Sequence, residues 1–169
     1  PADTHAVVAL LLHARPRRVL EIGTAAGHMT ANLTAFTPPD ATVFSLGIVA
    51  EDGPRSGTPH QTYEVPTRAQ FARHLNHFGT AHKALLVTAD SRAYDFARLA
   101  PLDFVFVDGG HDRATATADS RAAYQALRPG GLLVWHDVPS PTPWVEVEAA
   151  IAAIAFPETV TRVTGTQVA

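Results

Sequence analysis

The chain has no cysteine among its 169 residues. Disulfides, thiolate zinc sites and cysteine nucleophiles are therefore excluded. Lysine is nearly absent too: Lys83 is the only one, and arginine supplies the remaining positive charge. With 13 Lys and Arg against 16 Asp and Glu, the formal charge is −3. That balance gives no sign of a phosphate-backbone binder, so no nucleic-acid partner is expected. No apolar run approaches the roughly 20 residues of a membrane span, so no membrane association is expected. No secretory leader is visible, from which a cytoplasmic location is expected. The Gly-x-Ser-x-Gly elbow, the Walker phosphate loop and the His-Glu-x-x-His metal motif are missing as well.

What is present is an ordinary globular composition, 46% hydrophobic and 17% charged, and a length suited to one domain over 1–169. Residues 3–15 read as an N-terminal helix capped by Asp3 or Thr4 and stopped by Pro16. Arg18 to Gly23 is a short apolar run ended by glycine, a strand. Met29, Leu33 and Phe36 recur at helical spacing until Pro38. Ala41 to Ile48 reads as a second strand, and 49–66 as a long loop without periodicity, a length that points to either a functional segment, such as a lid, or a disordered one. Phe71, Leu75 and Phe78 mark a helix, Ala84 to Thr88 a third strand, and Tyr94 to Leu99 a short helix. Asp103 to Asp108 is the fourth strand. A helix over about Asp112 to Leu127 is closed by Arg128-Pro129-Gly130. Leu132 to His136 is the fifth strand, Trp144 to Ile154 a helix, and Val160 to Val168 a terminal hairpin. Strands apolar throughout, alternating with helices, predict an α/β fold with a parallel sheet covered on both faces.

Chemistry concentrates at two places. The turn Glu21-Ile-Gly23-Thr24-Ala25-Ala26-Gly27 joins a strand to a helix whose free N–H groups suit an anion. Gly23 allows a sharp turn and Gly27 a close backbone approach. Ala25 and Ala26 break the Gly-x-Gly-x-x-Gly dinucleotide fingerprint, and Glu21 is an acid placed to hold the amino group of an amino-acid-like ligand. The second place is the pair of strand ends, Asp108-Gly-Gly-His111 and His136-Asp137. Adjacent parallel strands would gather these four polar groups at the rim where open α/β sheets bind ligands, and such a cluster suits a divalent metal. Each residue also has a structural reading: Asp108 as a helix cap, His111 as a loop hydrogen-bonder, His136 as a packed side chain, Asp137 as a turn former before Pro139. His74 and His77, three apart on a helix, read as a solvated face.

The Glu21–Gly27 turn resembles the first motif of class I S-adenosylmethionine-dependent methyltransferases. Thr88-Ala-Asp90-Ser91 looks like the segment that borders the adenine in that family. Asp108-Gly-Gly-His111 and Pro129-Gly-Gly-Leu-Leu-Val-Trp-His136-Asp137 resemble a bacterial branch carrying Asp-Gly-x-His and Trp-His-Asp signatures, as does the closing Val163 to Ala169. The resemblance implies a Rossmann-like fold with a mostly parallel seven-stranded sheet, helices on both faces and a C-terminal antiparallel hairpin. It implies S-adenosylmethionine held by Glu21, Gly23, Thr24, Ala25, Gly27, His28, Asp90, Ser91 and Asp108. Metal-dependent O-methyltransferases carry Asp-x-x-Lys and Asp-Asn at the two rim positions. By that likeness Asp108, His136 and Asp137 hold a divalent metal, magnesium foremost, while His111 serves as the base with Asp108 beside it. The implied partner is a small-molecule hydroxyl acceptor, with Tyr63 or Trp144 available to stack on it; the fold also accommodates a homodimer.

One departure stands out. The family ends its second strand with an acid for the ribose hydroxyls, and here Gly47 occupies that place, leaving Glu51 or Asp52 to substitute. Two rival readings follow. One is a degenerate, non-catalytic ligand-binding domain, which Gly47 favours and the polar rim opposes. The other is a nicotinamide-dependent oxidoreductase, opposed by the broken glycine pattern and the missing Tyr-x-x-x-Lys.

Overall fold

The computed structural model describes residues 2–50, 65–154 and 156–169. Among these residues five α-helices and five strands follow in the order α1 Ala2–Ala14, β1 Arg18–Ile22, α2 His28–Phe36, β2 Thr42–Gly47, α3 Arg68–Phe78, β3 Ala84–Thr88, β4 Leu102–Val107, α4 Arg113–Ala126, β5 Leu127–Trp135 and α5 Val147–Ile154, with only 3₁₀ turns between β3 and β4. Every pairing is parallel and the sheet order is β3-β2-β1-β4-β5. The chain thus winds outward from β1 in one direction, returns to its other side at β4, and leaves a switch point between β1 and β4. There the connecting turns diverge to opposite faces and open a crevice.

Strand side chains point alternately to the two faces, and both faces are apolar. Leu20, Ile22, Phe44, Leu46, Val105 and Val107 pack with Ala116 and Ala123 of α4 and Ile151 of α5. Val19, Val43, Phe104 and Phe106 meet Val7 and Leu11 of α1 and Leu33 of α2 on the other face. Phe71 and Leu75 of α3 pack on Ala31 of α2. Local signals set the helix ends: Thr67 and Gln70 form a reciprocal capping box, Gly79 closes α3 in the left-handed region, and the Asp112 side chain accepts from Thr115 N–H at 3.0 Å.

The expected α/β layering is present, but among the described residues the sheet has five strands rather than seven. Residues 160–168 form a turn instead of a hairpin: Val163 N–H donates to Val168 O at 2.9 Å, and Gly165 sits at φ +80°. Only the last residues reach the sheet, where Trp135 and Ala169 exchange both backbone hydrogen bonds. The stretch 94–99 makes 3₁₀ turns rather than an α-helix, because Asp90 and Asp95 cap Ser91–Ala93 and Phe96–Arg98 separately. Strand β5 begins at Leu127, directly after α4, and a register shift between Leu102 and Phe104 absorbs the Pro129-Gly130 segment. Trp144 stands outside α5 and is 70% exposed, so it is not a core residue. Of the loop 49–66, the described part is its base, where Ala50 N–H donates to Pro66 O at 2.8 Å. Glu51, Asp52 and Tyr63 lie outside the described residues. No helix among the described residues is long and apolar enough to cross a membrane.

Candidate functional site

At the switch point the ladder continues one residue past each strand. Gly23 N–H donates to Leu46 O, Asp108 N–H to Ile22 O and His136 N–H to Val107 O, at 2.8–3.0 Å. These bonds fix the first residue of each rim turn. A Cβ on Gly23 would lie 1.9 Å from Asp108 O, so the two turns approach as closely as only glycine allows. Ala25 and Asp137, neither a glycine, adopt φ of +40° and +62°. Local strain is therefore held in both walls of the crevice.

The crevice encloses about 240 Å³ and is lined by Glu21, Gly23, Thr24, Ala25, His28, Met29, Asp108 and His136, together with Asp3 and Thr4 of α1. Most expected ligand-binding residues therefore meet in one cavity. Glu21 reaches its wall from below, 1% exposed, with the hydroxyls of Thr30 and Ser45 donating to one carboxyl oxygen. Burial pushes its pKa up to about 8, against the pull of those hydroxyls. Ser45 also bonds Thr24 at 2.9 Å, so the turn, β2 and α2 share one polar knot. Gly47 belongs to the same knot: a Cβ there would lie 2.5 Å from Thr24 Cβ. The place of the expected ribose-binding acid is sterically closed.

Asp90 and Ser91 do not line this cavity. They stand in the turn after β3, where the Arg92 guanidinium engages both oxygens of Asp90 at 3.0 and 2.6 Å.

The strand ends do bring Asp108, His111, His136 and Asp137 together, and they give the two histidines different surroundings. His111 Nε2 lies 2.7 Å from Asp137 Oδ2 and 3.9 Å from Asp108 Oδ1. Asp108, His111 and Asp137 can each present a ligand atom within 4.8 Å of the others. His136 lies outside that trio and faces the cavity. Its enclosed Nδ1 is 3.1 Å from Asp137 Oδ1 and 3.4 Å from Asp108 Oδ1, off the line of a hydrogen bond, while its Nε2 is 3.5 Å from Asp3 Oδ2. The Asp108 and Asp137 carboxylates push His136 up to about 10. The hydrogen bond to Asp137 raises His111 as well. Against the cost of burial, the two imidazoles hold Asp137 far below the usual carboxylate range.

Asp3 is the site residue that sequence reading placed elsewhere, as a helix cap. Its Oδ1 accepts Gln167 N–H at 2.8 Å while its Oδ2 faces His136. Nothing local in Asp3-Thr-His distinguishes a cap from a rim residue. Asp119 gave a usable signal, an acid amid the apolar spacing Ala116, Ala123 and Ala126.

A family model described as a methyltransferase domain matches residues 20–138. No curated protein matches the chain. Among solved structures, the O-methyltransferase TomG from Streptomyces achromogenes, involved in tomaymycin synthesis and solved with SAM, superposes with a TM-score of 0.65. It is 22% identical over 88% of this chain and 64% of its own. This chain thus spans less than two thirds of that relative. An O-methyltransferase from Bacillus cereus in complex with SAH gives 0.68 at 20% identity, covering 93% of this chain and 70% of that one. The SAH-bound methyltransferase PaMTH1 from Podospora anserina gives 0.71 at 13% identity, covering 98% and 74%. At these identities the structural likeness speaks for the fold.

Proposed function

Because the chain belongs to the methyltransferase-domain family, we propose that it transfers a methyl group from S-adenosylmethionine to a hydroxyl of a small molecule. The observation that carries this reading is the single crevice joining the Glu21–His28 wall to the Asp108–His136 rim. On this reading the cofactor's amino-acid end lies along Glu21, Gly23, Thr24, Ala25, Gly27 and His28, with its sulfonium methyl directed at Asp108 and His136. Asp90 and Ser91 border its base. The acceptor oxygen attacks that methyl carbon, the carbon–sulfur bond breaks, and the acceptor's proton passes to a base.

The residues fit a divalent cation. Two carboxylates and an imidazole converge at Asp108, His111 and Asp137, an oxygen-rich set suited to magnesium or, given the imidazole, manganese. When bound, such a cation would lower the pKa of a hydroxyl and offset the two carboxylate charges. On this geometry the histidines exchange the roles the sequence suggested: His111 joins Asp108 and Asp137 as a ligand, and His136 faces the acceptor. With Nδ1 turned towards Asp108 and Asp137, Nε2 of His136 is the atom that takes the proton. His136 is held protonated while both carboxylates are unscreened, so it becomes a base only where their charge is offset.

Calorimetric titration with S-adenosylhomocysteine, with magnesium and again with chelator, tests the reading. Saturable binding that changes with the metal is expected. His111→Ala should keep the binding and lose the metal response, whereas His136→Asn should keep both and lose turnover. Absence of binding in either condition overturns the proposal. It would favour the degenerate ligand-binding domain that the closed Gly47 position supports.

A further inference from the structure

Asp119, on the buried side of α4, is 1% exposed; neither carboxylate oxygen has a hydrogen bond of good geometry, and the Ser91 hydroxyl is the neighbouring donor that pulls its pKa down. That is anomalous in its surroundings. Ser120 Oγ donates to Ala116 O at 2.6 Å and accepts from Trp135 Nε1 at 2.9 Å. Asp112 caps α4, and Asp90 is engaged by Arg92. A buried carboxylate supplied by no more than one poorly aligned hydroxyl is among the costliest arrangements a fold can keep, so a stronger donor arriving in another state is the simplest explanation.

The location narrows that donor. Asp119 Oδ2 lies 2.8 Å from where a Cβ of Gly109 would stand, directly behind the residue that follows Asp108. Burial raises the Asp119 pKa to about 6, against the pull of the Ser91 hydroxyl, and the charges of Asp90, Arg92 and Asp112 also act on it. Among the described residues Arg92 is the cation that acts on all three acids, and its guanidinium and backbone N–H both donate to Asp90. Two carboxylates therefore compete for one guanidinium, and the buried one is losing.

We propose that Asp119 is the alternate partner of Arg92: when an amino group of the bound cofactor's base takes Asp90, the guanidinium moves to Asp119. Both acids are then satisfied, whereas without ligand one is not. Asp119 is a positioning residue that acts through Arg92, and the ligand it favours is a nucleoside bearing an exocyclic amine. The inference rests on the S-adenosylmethionine reading above.

The test compares wild type, Asp119→Asn, Arg92→Gln and the double variant. Each is titrated with S-adenosylhomocysteine and with S-inosylhomocysteine, which lacks the amine, and each is melted without ligand. Asp119→Asn should raise the ligand-free Tm by about 2–4 °C, as expected for relief of a modest buried penalty in a chain of this size. It should weaken S-adenosylhomocysteine about tenfold and S-inosylhomocysteine little. On the Arg92→Gln background the same change should have no further effect on binding. A lowered Tm with unaltered affinity, or equal weakening for both nucleosides, overturns the exchange and leaves Asp119 a packing residue. If wild type binds neither nucleoside, the cofactor reading fails first and the exchange falls with it.

Discussion

Residues of one type do opposite work here according to what surrounds them. Asp103, at the start of β4, accepts the N–H groups of Arg17 and Arg18 at 2.8 and 2.9 Å and the Arg128 side chain at 2.5 Å. It ties three strands together at the rim away from the crevice. Asp108, at the other end of the same strand, faces two imidazoles and a cavity. Glu21 is the residue whose environment has the clearest thermodynamic consequence. Burial lifts its pKa from the ordinary 4.5 to about 8, so the folded state holds the proton more tightly. The associated stability is complete below about pH 4.5 and is lost as pH rises towards 8, on the order of 5 kcal/mol across the window. Glu21→Gln, which keeps an oxygen acceptor for Thr30 and Ser45, should flatten that dependence. Thermal melts from pH 5 to 8 should fall more steeply for wild type than for the variant, in which Asp119 and His136 still titrate; parallel curves would refute the assignment. Gly47 yields a second expectation. Gly47→Asp restores the acid that the family's pattern would place there, yet its Cβ would lie 2.5 Å from Thr24 Cβ. Overpacking of this kind costs about 1–3 kcal/mol, so denaturant titration should show lost stability, and calorimetry should show no gain in cofactor affinity.

At the scale of elements, the helices whose ends carry readable chemistry form where the sequence predicts them. Helix α3 is bounded by Thr67, Gln70 and Gly79, and α4 by Asp112 and the extended Leu127 that opens β5 just ahead of Pro129-Gly130. Helix α2 is different, because its C-terminus is satisfied from a distance. Lys83, buried ahead of β3, donates from Nζ to Thr34 O and Thr37 O. This explains why the chain keeps its only lysine: a long cationic stem reaches the last carbonyls and complements the helix dipole. Lys83→Met retains the bulk and removes the donors. It should cost about 1–3 kcal/mol for the buried carbonyls left unmet, and amide exchange in α2 should accelerate more than exchange in β1. Equal exchange in both would place the loss elsewhere. The expected seventh strand and hairpin failed at this scale, because Gly165 and the Val163–Val168 turn use the segment's backbone groups locally.

Across the whole molecule, the two ends of the chain meet over the crevice. Asp3 joins α1 to Gln167 and faces His136, while Ala169 pairs with Trp135 at the end of β5. Asp3→Ala should therefore release the terminal segment as well as enlarge the cavity. Hydrogen exchange should show the Gln167 amide losing protection while the Ile22 and Val107 amides keep theirs. Retained protection at Gln167 would show that the contact does not hold the segment.

The layering of the fold was legible in the sequence because strand and helix differ in the period of their apolar residues. The rim was legible because residues at the ends of adjacent parallel strands must meet there. Asp108, His111, His136 and Asp137 do stand together there. Which histidine sits with the carboxylates and which faces the cavity depends on side-chain directions beyond β4 and β5, set by contacts among segments distant in sequence. The roles of Asp3 and Lys83 lie beyond sequence reading for the same reason. Each takes its meaning from a partner far along the chain, and only packing the helices onto the sheet decides whether that partner is within reach.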